Sequence, residues 1–384
     1  MHSRLLNLIV NTEKYMKKRA LLISFKIGMG HVQAARAIYE ELADQNVEVK
    51  HIDLSDYCTV ASKKFYQQGY LRMVTHAPAL YSLLYRRIPS SSARSRAFFD
   101  SINAAKLRKF IRDYQPDIIV STHFIVTSLL SRWKDKAGLD FKLIFTGTDF
   151  AAHRLWFDKK VDLYFSPSES VRTELLELGV KGEIIVSGIP IGRNFSKEFD
   201  KTIIRKDLDL EDRFTILLIN GGFGVGKSKE ILQSLVGQNR PIQIIAVAGL
   251  NNKLKLSLEQ IASRSTSTTV KVFGFSDKIS ELMAVSDLII SKAGGLTVAE
   301  SLAIGTPLLA FEPTPGQEEA NIKFLELNNA ALSAHSILDI EANVRYILDG
   351  VINLSKLREN VRKVARPDSS KIIGQKLIEL LRQD

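Results

Sequence analysis

Eleven short apolar runs, rich in Val, Ile and Leu, recur along the chain without in/out alternation. The first series covers 20–25, 47–52, 117–121, 142–146, 162–165 and 183–187, and the second 215–219, 242–247, 269–273, 287–291 and 307–311. A strand wet on one face alternates polar and apolar residues, whereas one covered on both faces reads as a continuous apolar run. Segments with helical periodicity lie between the runs, as at 31–44, 168–178, 252–263, 295–304 and 317–327. Repeated β–α units of this kind restrict the chain to a doubly wound α/β architecture with parallel sheets. A chain of 384 residues has room for two such domains. The turn-rich Ile189-Pro190-Ile191-Gly192 and the charged stretch from Lys197 to Arg213 mark the passage between them. We expect a first domain over 1–192, a second over 193–366, and one amphipathic helix over 367–384. Ligands of open α/β sheets bind beyond the C-terminal ends of the strands, so two facing domains would enclose a cleft lined by those loops.

No apolar run reaches the roughly 18–20 residues of a membrane span. The N-terminal Met1-His-Ser-Arg-Leu-Leu-Asn-Leu-Ile-Val is short and is followed by polar residues rather than a cleavage site, so it reads as neither signal peptide nor anchor. One cysteine, Cys58, allows no intrachain disulfide and fits a reducing compartment. The formal net charge is +11, and nearly all of it comes from residues 61–112, which hold eleven basic residues and one acid, Asp100. Such a stretch suits a polyanion, either an anionic bilayer or a nucleic acid, or else forms a solvated face with no partner.

Three glycine-led loops could carry chemistry. Gly28-Met29-Gly30-His31 follows the first run. Glycine allows close backbone approach, the following helix offers free N–H groups to an anion, and histidine can act as a base near neutral pH. It could equally be a tight strand-to-helix turn. Gly221-Gly222-Phe223-Gly224-Val225-Gly226-Lys227-Ser228 matches the triphosphatase P-loop letter for letter. That enzyme class also needs a strand ending in an acid for Mg²⁺, and only Glu312 qualifies. Lys292 to Asn321 is the richest segment. Gly294-Gly295 makes a phosphate-type turn, and the Glu300 carboxylate suits a vicinal diol, although Thr297 and Glu300 also have capping-box spacing. Pro313 and Pro315 stiffen the next loop. Gln317 and Glu318 then open a helix, where acids are also favoured by its dipole.

The run Ser291-Lys-Ala-Gly-Gly-Leu-Thr-Val-Ala-Glu-Ser301 followed by Pro315-Gly-Gln-Glu-Glu-Ala-Asn321 closely resembles the donor site of the monogalactosyldiacylglycerol synthase and processive diacylglycerol glucosyltransferase family. It is more distantly similar to the N-acetylglucosaminyltransferase that completes the peptidoglycan lipid intermediate. Gly30-His31, His123 after a Pro-Asp-x-Ile-Val run, Thr148-Asp149-Phe150 with His153 and Trp156, and Gly188-Ile-Pro-Ile191 extend the resemblance over about 20–330. Met29 departs from it, standing where the family usually has a third glycine. The resemblance implies a GT-B fold: two Rossmann-like domains about a central cleft, with the C-terminal helix packed back on the first. It also implies an inverting, metal-independent transfer of a hexose from a UDP-sugar to a lipid such as diacylglycerol or its glycosylated form.

Carried over residue by residue, that resemblance implies His31 first, and Asp149 second, as the catalytic base. It puts Gly221, Gly222, Gly224, Gly226, Phe275, Lys292, Gly294, Gly295, Leu296, Thr297, Glu300, Gln317, Glu318 and Asn321 at the donor. Gly28, Gly30, His123, His153 and Trp156 would serve the acceptor, and Arg72, Tyr81, Tyr85, Arg86 and Arg87 the membrane surface. No cofactor beyond the UDP-sugar co-substrate, no metal and no nucleic acid are expected. The location implied is the cytoplasmic face of a cell membrane. A P-loop nucleotide hydrolase and a non-enzymatic nucleic-acid binder remain the alternatives.

Overall fold

A computed structural model describes residues 17–26, 28–58, 105–136, 139–221, 226–313 and 316–383. Gly222, Gly224, Arg72, Tyr81, Tyr85, Arg86 and Arg87 lie outside the described residues.

The first sheet has six parallel strands in the order β2-β1-β3-β4-β5-β6, formed by Arg19–Ser24, Glu48–Asp53, Ile118–Ser121, Lys142–Thr146, Leu163–Ser166 and Glu183–Val186 for β1 to β6. Both faces are covered. Leu21 and Ile23 enter one apolar cluster, while their neighbours Ala20 and Leu22 enter the opposite one. This two-sided burial is why the runs lack alternation. Helices α1 (Met29–Ala43), α2 (Ala105–Tyr114), α3 (Phe124–Lys136) and α4 (Glu169–Glu177) lie along this sheet.

The second sheet repeats the plan in the order β12-β11-β10-β7-β8-β9. Its strands β7 to β12 are Thr215–Ile219, Gln243–Val247, Thr269–Phe273, Leu288–Ser291, Leu308–Phe311 and Ala331–Ala334. The last of these was not expected. Its sequence, Ala-Leu-Ser-Ala, carries no β-branched or aromatic residue, and it pairs only at the sheet edge. Leu217 and Ile219 pack on one face of β7, and Ile216 and Leu218 on the other. The accompanying helices are α5 (Lys201–Asp207), α6 (Ser228–Gly237), α7 (Asn252–Ala262), α8 (Ile279–Val285), α9 (Gly295–Ile304), α10 (Gln317–Leu327), α11 (Ile337–Leu348) and α12 (Leu354–Val364).

Helix α13 (Ser369–Gln383) returns to the first sheet, where Ile373, Leu377 and Leu381 are buried with Ile38 and Leu42 of α1. The two helices approach closely at Gly374, where an added Cβ would lie 2.7 Å from Glu41 Cβ. The chain therefore crosses between the sheets twice. The crossings touch: Gly188, at φ +90°, leaves no room for a Cβ beside Arg366, and Ser370 Oγ donates to Ile191 O at 2.6 Å. Arg193 fastens the first crossing to α1 by donating to Glu41 Oε1 at 2.7 Å and to the Glu40 carbonyl at 2.8 Å.

Candidate active site

Each sheet reverses its winding direction at one place, between β1 and β3 in the first and between β7 and β10 in the second. Loops diverge there and leave a crevice. The three glycine loops follow β1, β7 and β10, and His123 follows β3. The helices these glycine loops open, α1, α6 and α9, have no capping side chain, whereas α4, α5, α7, α11 and α12 are capped by Ser168, Asp200, Asn251, Ser336 and Asn353, and at α10 the Glu319 carboxylate reaches back to accept from Gly316 N–H at 3.0 Å. Uncapped first turns keep N–H groups available to an anion. A Cβ added to Gly28, Gly221 or Gly294 would meet nothing within 4 Å among the described residues.

On the first-sheet side, the histidine tautomers follow from their neighbours. His31 Nδ1 lies 2.7 Å from the Thr122 carbonyl, which can only accept, so Nδ1 carries the proton and Nε2 the lone pair. His123 Nδ1 accepts from Ile125 N–H at 3.1 Å, and His153 Nδ1 from Leu155 N–H at 3.2 Å, so both carry the proton on Nε2. Of the three, His31 alone offers Nε2 as an acceptor. The His31 and His123 rings meet edge-on at 4.6 Å. Burial lowers His31 to about 4, and it lowers His123 well below the usual histidine range. Asp149 moves the other way. Burial raises it to about 7, partly offset by the amide of Asn321, with the nearby charge of Glu318 adding to the rise.

On the second-sheet side, α9 begins at Gly295 with Gly294 as N-cap, so Thr297 and Glu300 form no capping box. Among the described residues the Glu300 carboxylate has no hydrogen-bond partner, and burial raises it to about 8. Lys292 likewise forms no ion pair among them. Its Cε lies 3.4 Å from where a Cβ on Gly226 would stand, so the cation borders the glycine loop. Asn220 Nδ2 donates to Ser228 Oγ at 2.7 Å and ties the base of that loop. Lys227 is engaged by Glu312, which sits at φ +47° at the end of β11. Phe275, after β9, is 66% exposed, a large solvent cost for an aromatic ring on a surface with no partner.

The two sides meet closely. A Cβ on Gly295 would lie 1.9 Å from the Thr148 carbonyl, and Gly30 faces Leu296. Asn321, fully buried, donates from Nδ2 to Ala293 O at 2.9 Å and to Asp149 Oδ1 at 3.1 Å, and accepts from Phe150 N–H at 2.7 Å. The Phe150 and Phe324 rings stack at 4.4 Å. A cavity of about 310 Å³ lies at this junction, lined by Asp149, His153, Gln317, Glu319 and Lys323 among others. A second hollow, of about 400 Å³ around Phe214 and Leu354, has no titratable side chain and lies at the opposite end of the sheet.

The cleft thus gathers Gly28, Gly30, His31, His123, Asp149, His153, Leu296 and Gln317. Trp156 stands apart in the first-sheet core, 4% exposed, with its ring beneath Gly147. In the sequence Thr148 and Asn220 stand inside motifs without a role of their own, and nothing singles out Thr122 or Phe324. Thr122 makes two hydrogen bonds to His31, through its carbonyl and its hydroxyl, and Thr148 makes one, and no residue-type pattern announces such contacts.

Comparison with known proteins follows the same outline. Residues 31–191 match the family described as monogalactosyldiacylglycerol (MGDG) synthase, and residues 227–372 the glycosyltransferase family 28 C-terminal domain. The processive diacylglycerol beta-glucosyltransferase of Bacillus licheniformis is 30% identical over 369 residues, covering 94% of this chain and 95% of its own. The Bacillus subtilis protein of the same name is 29% identical over the same span. Among solved structures, MurG of Acinetobacter baumannii aligns with a TM-score of 0.62 at 15% identity, over 96% of this chain and 100% of its own. A UDP-glucosyltransferase from Polygonum tinctorium aligns with a TM-score of 0.63 at 13% identity, over 96% of this chain and 99% of its own. These likenesses carry the fold, two Rossmann-like domains in the GT-B arrangement.

Proposed function

The chain belongs to the family of monogalactosyldiacylglycerol synthases and processive diacylglycerol glucosyltransferases, and from that premise we propose how its cleft transfers a hexose from a UDP-sugar to a diacylglycerol-type lipid with inversion. The domain over 193–366 binds the donor. The domain over 1–192, with the helix over 367–384, receives the lipid. The observation that carries this reading is the meeting of two uncapped helix starts, α1 and α9, at the junction that holds Asp149.

Glu300, unpartnered and half-buried, accepts the two ribose hydroxyls, with Phe275 against the base. The diphosphate lies along Gly221–Gly226 and Gly294–Gly295, where first-turn N–H groups and Lys292 hold it. Gln317 and Glu318 orient the hexose. As the bond from the anomeric carbon to the diphosphate breaks, charge grows on the leaving oxygen, where these preorganised donors stabilise it. The acceptor hydroxyl attacks the opposite face of that carbon and gives up its proton.

Asp149 takes that proton. Asp149 lines the cavity at the junction, which His31 does not, and burial pushes its carboxyl up to about 7, near the working pH at which a base is most effective. His31 presents its Nε2 lone pair to the acceptor hydroxyl and orients it. The Nε2–H groups of His123 and His153 donate to oxygens of the acceptor. Trp156 supports the loop from beneath Gly147. No described helix is long and apolar enough to cross a membrane. The basic stretch 61–112 draws the protein peripherally onto the anionic inner face of the cell membrane, where its lipid resides.

The test is an activity screen of purified protein with UDP-glucose, UDP-galactose and UDP-N-acetylglucosamine over diacylglycerol-containing vesicles, with chromatographic detection of glycolipid. Transfer from one of the three is expected, and UDP alone should raise the melting temperature. Absence of both effects would sink the reading. The P-loop alternative is disfavoured by the match of residues 227–372, which begin at Lys227, to a glycosyltransferase domain.

A further inference from the structure

Asn321 lies in the donor-side motif, yet both its amide hydrogens are taken and its oxygen is fully buried, out of a substrate's reach. Both Nδ2 hydrogens are used, on Ala293 O and Asp149 Oδ1, and Oδ1 accepts from Phe150 N–H. The side chain is fully buried, and those three bonds fix which end is oxygen and which nitrogen. Two of its three partners belong to the segment after β4, on the other side of the cleft. Its hydrogen bond is the one polar contact that the Asp149 carboxylate makes among the described residues. Asn321 also sits on α10 one turn after Gln317, which lines the cavity.

We propose that Asn321 is a positioning residue for the base, tying the seating of the donor-side helix α10 to the orientation of the Asp149 carboxylate. The inference rests on Asp149 being the base in the reading above. A donor gripped at the first turn of α10 holds that helix against the first domain, and the same helix holds the carboxylate by one oxygen. The other oxygen is left to take the acceptor proton. When the two sides part, the amide leaves with α10 and the carboxylate loses its fixed direction, so proton abstraction is restricted to the closed, donor-loaded enzyme. The charged and titratable groups around Asp149 are Glu318, Glu319 and Lys323 on α10, His153 on its own segment, and His31 on α1, reached through Thr148. Glu318 acts against ionisation of Asp149, and the Asn321 amide favours it.

The test compares Asn321→Ala and Asn321→Ser with Phe324→Ala, which loosens the same junction through the ring stack without touching the carboxylate. For the Asn321 variants kcat should fall about 10²-fold, as expected when a reacting group loses its orientation. KM for the UDP-hexose should stay within about threefold, since the amide makes no uniform binding contact. The acid limb of the kcat–pH profile should move up by about one pH unit, because the ionised carboxylate loses its donor. Phe324→Ala should leave that limb in place. A rise in KM with kcat retained would overturn the proposal by making Asn321 a donor contact. An unmoved limb would reduce it to a packing residue. A second readout, independent of turnover, is the ¹³C titration of the Asp149 carboxyl, assigned with Asp149→Asn. Its midpoint should rise in Asn321→Ala and Asn321→Ser, and no change in either would overturn the proposal. Should the wild type transfer no hexose at all, the functional reading fails and this titration alone decides the role of Asn321.

Discussion

Glu300 carries an unusual load for a single side chain: a carboxylate with no partner among the described residues, held where ionisation is unfavourable. Its folded value of about 8 lies above the ordinary 4.5, so between these the native state binds more protons than the unfolded chain. Its contribution to stability is therefore full below pH 4.5 and is lost as pH rises towards 8. His31, lowered to about 4 from 6.5, has the opposite sign, and stability is lost as pH falls from 6.5 to 4. Glu300→Gln should flatten the loss on the alkaline side, read from melting temperatures between pH 5 and 8. The same substitution should weaken UDP binding about tenfold or more, the cost of losing hydrogen bonds to a charged acceptor. Because a ribose diol stabilises the ionised carboxylate, UDP binding at pH 7 should release protons, seen by calorimetry in buffers of different ionisation enthalpy. That release should diminish in Glu300→Gln.

At the scale of elements, the junction between α9 and the segment after β4 depends on the missing side chain of Gly295. Gly295→Ala should force the domains apart by an ångström or more. Turnover should fall on the order of 10²-fold, while the melting temperature of each domain changes little. A competing outcome, unaltered kcat, would mean that the junction is not the working arrangement. Strand positions were largely legible in the sequence, because residues buried on both faces leave continuous apolar runs, as in β7 and β10. Strand β12 was not, since Ala-Leu-Ser-Ala has no β-forming residue and its pairing with β11 supplies the order. The proposed site residues that the sequence could suggest are those where a glycine and an ionisable group share a loop, as at Gly30-His31 and Lys292 to Gly295. The partnership of Asn321 with Asp149 was not, because it joins positions 172 residues apart and exists only when two separate sheets face each other.

The whole molecule is two sheets joined by paired crossings, and the basic stretch of residues 61–112 falls in the sequence between β2 and β3. Replacing Arg86 and Arg87 with alanine should cost about 2 kcal/mol of affinity for anionic vesicles, near 1 kcal/mol per cation. Vesicle sedimentation at low salt should detect the loss, and high salt should erase the difference. Helix α13 packs on α1 of the first sheet, and Leu377→Ala should destabilise the fold by about 2–5 kcal/mol, measured by urea unfolding. Its position also matters before the protein is finished. Strand β6 closes the first sheet at Val186, but the helix that covers Ile38 and Leu42 is made only at Ser369–Gln383. At typical rates of translation that interval lasts on the order of ten to forty seconds. Throughout it the nascent first domain offers an uncovered apolar groove on α1, a seat for chaperones and an opening for proteases. The last helix of the chain thus sets when the first domain becomes safe from both.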